Sequence, residues 1–257
     1  MSQKTLSHLV RIKKERPFIL NITQYYPLDL IVNGLRSIGA LPITSNSKQE
    51  IEELLTLSKA VVINLGKLDD EFIQLSGEIC QIANKLKKPI ILDPVGAGIS
   101  RYRTDTAINF IKDYKISVVR GYPGEIDALL NAQITNIVSE SPTDDLGTEN
   151  AKLLSKKYDI AVVVSGKINT VIDHDMIDHY NFDSTLLLKV AGISSLLTSL
   201  IGAFHAIEEN RFIAASTALT YYALCVGSAR NKATGPGSFK THLLDELYLN
   251  SDRAVEW

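Results

Sequence analysis

The sequence predicts an α/β fold: a mostly parallel central sheet with helices on both faces. Three observations carry this. Short β-rich runs alternate with helix-length segments, the order that builds repeated βα units. Most of the runs are continuous Val, Ile and Leu rather than alternating, as strands buried on both faces read. The polar residues among them gather at their carboxyl ends, where open parallel sheets bind ligands.

Strands are predicted over 18–23, 41–44, 61–66, 89–94, 116–121 and 160–166. Helical segments fall between them over 28–38, 49–58, 69–87 and 105–113. The stretch 136–149, rich in Ser, Pro, Thr, Asp and Gly, reads as a surface loop. Residues 170–173 and 176–180, split by an Asp/His turn, read as a small hairpin. Two long apolar helices follow over 192–206 and 213–228, then a turn at Gly235-Pro236-Gly237 with Ser238 as cap of a last helix. One domain, 1–257, is expected.

Composition narrows the function. The 257 residues are 45% hydrophobic and 22% charged, with 27 Lys plus Arg against 29 Asp plus Glu and a net charge of -2. That excludes a disordered chain and leaves no basic footprint for nucleic acid or an anionic membrane. Cys80 and Cys225 sit in apolar helical segments without metal-ligand spacing, so they read as core thiols of a reduced, cytoplasmic protein. The opening MSQKTLSHLVRIKKERPF has no apolar stretch of the kind a secretory signal carries. The apolar run 190–204 is 15 residues long, short of the roughly 20 a membrane span requires. His174 and His179 flank the hairpin and read as surface residues.

The strand-end residues to interrogate are Asn21, Thr23, Asn64, Gly66, Asp93, Arg120, Gly121, Ser165 and Gly166. In Asp93-Pro94-Val95-Gly96-Ala97-Gly98 a carboxylate precedes two glycines that would let backbone N–H groups approach an anion; the alternative is a simple turn. Glu125, after the next strand, could share a hydrated Mg²⁺ with Asp93, or be a solvated surface residue. Arg120 could grip a phosphate, or pair with Glu125 or Asp93. Ser165 could donate to a phosphate or cap a turn. Ahead of the apolar helix, Gly192 shapes a helix N-terminus fit for an anion, with Ser194 or Ser195 as candidate N-cap. No GxSxG, triad order or P-loop is present.

In order, these pieces resemble the hydroxyethylthiazole kinase family of the ribokinase-like superfamily. The resemblance runs from about Arg16 to Leu249. It rests on Asn21-Ile22-Thr23, Asn33-Gly34-Leu35 through Gly39-Ala40-Leu41-Pro42, Val62-Ile63-Asn64-Leu65-Gly66, Leu92-Asp93-Pro94-Val95-Gly96-Ala97-Gly98 with Tyr102-Arg103, Val119-Arg120-Gly121 with Glu125-Ile126, and Gly235-Pro236-Gly237-Ser238-Phe239. It implies a ribokinase-like fold and Mg²⁺-dependent transfer of the ATP γ-phosphoryl group to the alcohol of 4-methyl-5-(2-hydroxyethyl)thiazole, in thiamine salvage. It also implies a homotrimer with the thiazole at subunit interfaces. By the same resemblance Arg120 and Ser165 match ATP contacts, and Asp93 and Glu125 match the carboxylates near metal and phosphates. Asn21, Thr23, Thr44 and Gly192 match the substrate side, and Ser195 the catalytic position.

The chain also departs from that family. Where the family usually has Thr-Gly-Thr-Gly-Cys, this chain has Ala191-Gly192-Ile193-Ser194-Ser195. Thr44 stands for a methionine and Tyr122 for an asparagine. Ser194 is therefore expected either to take a glycine conformation or to misplace an N–H. Two readings stand: a working thiazole kinase, or a non-catalytic homologue that binds nucleotide or thiazole as a sensor or as a partner in mixed trimers.

Overall fold

Helices that return the chain to the same end of the sheet after each aliphatic run leave the strands only a parallel alignment. The computed structural model, which describes residues 2–23, 26–134, 145–166, 168–181 and 186–254, has this arrangement. Strands β1 (Phe18–Ile22), β2 (Leu41–Ile43), β3 (Ala60–Asn64), β4 (Ile90–Asp93), β5 (Val118–Gly121) and β6 (Ala161–Val164) pair in parallel in the order β2-β1-β3-β4-β5-β6. The hairpin of β7 (Ile168–Asp173) and β8 (Met176–Asn181) extends the sheet antiparallel beyond β6.

Alternate strand residues enter two cores. On one face Ile19, Val62, Ile91, Val118 and Val163 meet α1 (Gln3–Glu15), α2 (Leu28–Ser37), α8 (Ile193–His205), α9 (Arg211–Lys232) and α10 (Pro236–Arg253). On the other Leu20, Ile63, Leu92, Val119 and Val164 meet α3 (Ile51–Leu57), α4 (Asp70–Lys85), α5 (Arg101–Asp113), α6 (Pro123–Asn131) and α7 (Asp145–Tyr158). Each such side chain contributes about 1.5 to 3 kcal/mol when buried, which fixes strand register through two faces at once. Gly202 lets α8 lie close on the sheet, since a Cβ there would stand 2.9 Å from Val62 Cγ2. This seats the head of α8 over the carboxyl ends of the central strands.

Several boundaries differ from the sequence expectation. Helix α1 was not expected; the Ser2 side chain caps it, and it buries Thr5, His8, Leu9 and Ile12, one face at helical spacing. Helix α6 opens on Pro123, whose ring suits the first helical turn. Helix α5 starts at Arg101 rather than 105 because Ser100 accepts from the Arg103 N–H. Over 145–149 the expected loop is already α7, and its remainder, 136–144, lies outside the described residues. Ser238 is not the cap of α10 but its third residue, accepting from the Gly235 N–H at 3.1 Å. By length and apolarity α9 would suffice to cross a membrane, yet it packs against α8, α10 and the sheet with Tyr221, Tyr222 and Cys225 buried.

Candidate active site

Parallel pairing brings the strand-end residues to one rim. Asn64 and Asp93 stand opposite each other at the ends of β3 and β4, Arg120 lies next to last in β5, and Ser165 directly follows β6. Asp93, Arg120 and Ser165 converge there as expected. Arg120 Nε donates to Ser165 Oγ at 3.0 Å, and Arg120 Nη1 lies 3.9 Å from Asp93 Oδ2. The guanidinium also lies over the Tyr122 ring, 4.6 Å from its centre, a cation–π contact. Burial pulls the Arg120 guanidinium down, but Tyr122, Asp93 and Glu125 outweigh it and raise it overall.

Asp93 is buried, and its two oxygens differ. Oδ2 accepts from Thr198 Oγ1 at 2.9 Å and Asn64 Nδ2 at 3.2 Å, whereas Oδ1 is buried without a partner. Burial drives the Asp93 carboxyl up, opposed by Arg120, Thr198 and Asn64. Glu125 is no surface residue. It is buried at 5% exposure, Oε1 accepting from the Gly96 N–H and Oε2 from the Tyr122 N–H, each at 2.8 Å. The bond to Tyr122 is the reach-back of a third-position helix acid to the N-cap backbone. Burial, and then the Asp93 charge, push the Glu125 carboxyl up to about 7.

The head of α8 supplies the positive wall. Gly192 is its N-cap in the left-handed region, φ +82, with no side chain capping the helix. Neither Ser194 nor Ser195 is the N-cap; both lie in the first turn, and Ser194 is not among the residues with positive φ. Ser194 therefore takes no glycine conformation, and the first N–H groups of α8 are left without intrahelical acceptors. Arg120, Tyr122, Ser165, Ile193, Ser194 and Tyr222 line one cleft. A cation, a hydroxyl and an uncapped helix N-terminus on one cleft favour a phosphate group.

Other sequence-derived residues sit farther along the rim. Asn21 on β1 accepts at Oδ1 from Ser199 Oγ at 2.8 Å, and Thr23, just past β1, has a buried Oγ1 without a partner. Thr44 is exposed beyond the edge strand β2, three strand spacings or roughly 14 Å from β4. The structure thus groups Asp93, Glu125, Arg120, Ser165 and the α8 head, and sets Thr44 apart. His174 lies 3.0 Å from Asp173 and 3.4 Å from Asp159, and His179 is exposed.

Three contributors escaped the sequence reading. Thr198 lies one helical turn beyond Ser194 and grips Asp93 from α8, a spacing legible only once α8 faces β4. Tyr122 stacks on Arg120. Arg103, quoted only as part of a motif, donates to the Leu65, Val95 and Gly66 carbonyls at 3.1, 3.0 and 3.2 Å. It ties together the loops that leave β3 and β4, and with them the Gly96 N–H that holds Glu125.

No cluster of three His, Cys, Asp or Glu side chains that would hold a metal by itself exists among the described residues. A magnesium ion needs fewer: one or two carboxylates with water and phosphate oxygens complete its octahedron. The unpartnered Asp93 Oδ1 suits such a ligand, beside the cleft that suits the phosphate.

The model of the hydroxyethylthiazole kinase family matches residues 9–252 of the chain. A hydroxyethylthiazole kinase of Desulfotalea psychrophila is 34% identical over 257 residues, spanning 100% of this chain and 94% of its own length. One of Chlamydia caviae is 36% identical over 252 residues, spanning 96% and 95%. The solved structure of the hydroxyethylthiazole kinase protein of Pyrococcus horikoshii superposes with a TM-score of 0.89 at 30% identity, over 98% of this chain and 96% of that one. A ribokinase-like superfamily protein of Enterococcus faecalis, 12% identical, shares the fold with a TM-score of 0.66.

Proposed function

The chain belongs to the hydroxyethylthiazole kinase family, and on that premise we propose that it transfers the ATP γ-phosphoryl group to the hydroxyl of 4-methyl-5-(2-hydroxyethyl)thiazole in thiamine salvage. The observation that carries this reading is the single cleft onto which Arg120, Ser165 and the uncapped head of α8 all face. Phosphoryl transfer asks a protein mainly for positioning and for neutralisation of phosphate charge. This cleft supplies both.

Arg120 and Ser165 hold ATP phosphate oxygens, and the α8 N–H groups meet charge that develops on the transferred group. Asp93, through its open Oδ1, and Glu125, through water, hold Mg²⁺. When bound, the ion supplies countercharge to the phosphates. Ser195 faces the acceptor alcohol from the first turn of α8. Its hydroxyl is too weak a base to take a proton at neutral pH, and a loose transition state demands little of one. Gly192, Asn21, Thr23 and Thr44 form the substrate side. Because Thr44 lies so far along the rim, it meets substrate in a neighbouring subunit, within a homotrimer in the cytoplasm.

The match to hydroxyethylthiazole kinases over nearly the whole chain favours the working kinase over the non-catalytic reading. Release of ADP from ATP and Mg²⁺, measured with a panel of small primary alcohols, tests the reading. Turnover is expected with the thiazole alcohol above all others, and no turnover with any alcohol would refute it. Sedimentation tests the assembly: a species of 28.3 kDa alone would refute the trimer.

A further inference from the structure

Asn64 has no part in the roles assigned above, yet its side chain joins the two groups nearest the chemistry. It is 3% exposed. Its Oδ1 accepts from the Gly66 N–H at 3.0 Å. A backbone N–H can only donate, so that bond fixes which end of the amide faces Gly66 and turns Nδ2 the other way. Nδ2 donates both to Asp93 Oδ2 at 3.2 Å and to Ser195 Oγ at 3.1 Å.

An amide nitrogen accepts nothing, so Ser195 Oγ can only be the acceptor in that contact. Among the described residues its own O–H donates to no other group. The Ser195 proton is left for an oxygen outside the protein. Meanwhile Asn64 and Thr198 together occupy Asp93 Oδ2 and leave Oδ1 open. A single amide thus fills one lone pair of the serine oxygen and leaves its proton facing outward.

Resting on the kinase reading, we propose that Asn64 is a positioning residue that fixes the Ser195 hydroxyl as a dedicated hydrogen-bond donor to the reacting oxygens at the head of α8. It touches neither ATP nor the alcohol. It acts through Ser195, which explains why a serine can serve where a stronger base is not required.

Two measurements test this, one of them independent of turnover. In Ser195→Cys, Asn64 would donate to a thiolate at a helix N-terminus, and both features lower a thiol pKa from its usual value of about 8.5. The ultraviolet thiolate signal reads this cleanly, because burial drives the Cys80 and Cys225 thiols far up. Burial at position 195 and the nearby Asp93 charge oppose that lowering, so the expected result is the shift: the titration moves up by about one pH unit when Asn64→Ala is added. Titration unchanged by Asn64→Ala overturns the proposal whether or not the chain phosphorylates a thiazole.

The second is a double-mutant cycle in the ADP-release assay. Asn64→Ala and Ser195→Ala should each lower kcat about tenfold, the upper range for one neutral hydrogen bond, with KM for ATP unchanged. The double variant should be no slower than either. Multiplicative losses overturn the proposal. The isosteric Asn64→Asp, which cannot donate from that position when ionised, should fall with Asn64→Ala; wild-type kcat in that variant also overturns it. Loss of the thiazole activity in the wild type, by contrast, would refute the kinase reading and leave the thiolate result to decide the role of Asn64.

Discussion

The Arg120 guanidinium stands 3.9 Å from the Asp93 carboxylate, with side-chain exposures of only 3% and 1%. Removing one member of such a pair leaves the other as an uncompensated buried charge. Arg120 also reaches Ser165, so it connects the carboxylate to the cleft beside α8. Arg120→Ala should weaken ATP binding by about 1.5 to 3 kcal/mol, the range for a charge-assisted hydrogen bond. Titration calorimetry with ATP reads this directly, and unchanged affinity would remove Arg120 from the nucleotide site. Asp93→Ala should instead raise the Mg²⁺ requirement.

Glu125 predicts an unusual pH dependence of stability. Burial pushes its carboxyl up to about 7 in the folded chain, against an ordinary value of 4.5. Between those values the folded protein holds a proton that the unfolded chain has shed, so stability falls as pH rises and levels off above about 7. The loss is on the order of 3 kcal/mol, at 1.36 kcal/mol per pH unit. In metal-free buffer the wild type should lose more stability between pH 5 and pH 8 than Glu125→Gln, as urea denaturation would read. Parallel stability profiles for the two proteins would show that Glu125 does not titrate in this range.

The central sheet was legible because β3 to β6 are unbroken aliphatic runs, a pattern that only two-sided burial explains. Their polar ends marked the rim for the same reason: in Val118-Val119-Arg120-Gly121 the arginine is the one residue a core strand would not otherwise carry. Helix α1 was missed because its buried face includes Thr5 and His8, which carry no apolar signal in a sequence. Helix α6 was missed because Pro123-Gly124 reads as a turn. At the site, the burial of Glu125 was not legible: its bond to the Tyr122 N–H is local, three residues away, but the helix start it caps was itself missed, and the Gly96 N–H comes from 29 residues away. The links of Asn64 to Ser195 and of Thr198 to Asp93 span 131 and 105 residues, and no local spacing encodes them.

Gly192 is required by conformation and by space. Its φ of +82 suits glycine, and a Cβ would stand 2.9 Å from the backbone Cα of Pro27. Gly192→Ala should cost about 1 to 2 kcal/mol from the backbone alone, and the clash adds to it by displacing the head of α8. Gly227 in α9 is the control, because nothing lies within 4 Å of a Cβ there; Gly227→Ala should stabilise by up to about 1 kcal/mol through helix propensity. Equal melting temperatures for the wild type and Gly192→Ala would show that the α8 entrance adapts freely.

The head of α8 yields the last prediction, which separates backbone from side chain. Ser194 already has right-handed helical geometry, so a glycine there has no strain to relieve. Ser194→Gly should therefore leave kcat within about threefold, the scale of a helix-propensity change in a first turn. Ile193 is different: its buried side chain lines the cleft beside Arg120 and Ser165 and offers no donor to a phosphate. Ile193→Thr places a hydroxyl at that wall, and any gain in the double variant Ile193→Thr with Ser194→Gly should come from it alone. Ser195→Cys should give no gain, because a thiol donates more weakly than the hydroxyl it replaces and a thiolate does not donate at all. The comparison is steady-state kcat for the three single variants and the double. A tenfold rise in Ser194→Gly alone would mean that the backbone N–H groups are misplaced after all, and that this chain is slowed by its lost glycine rather than by the apolar residue before it.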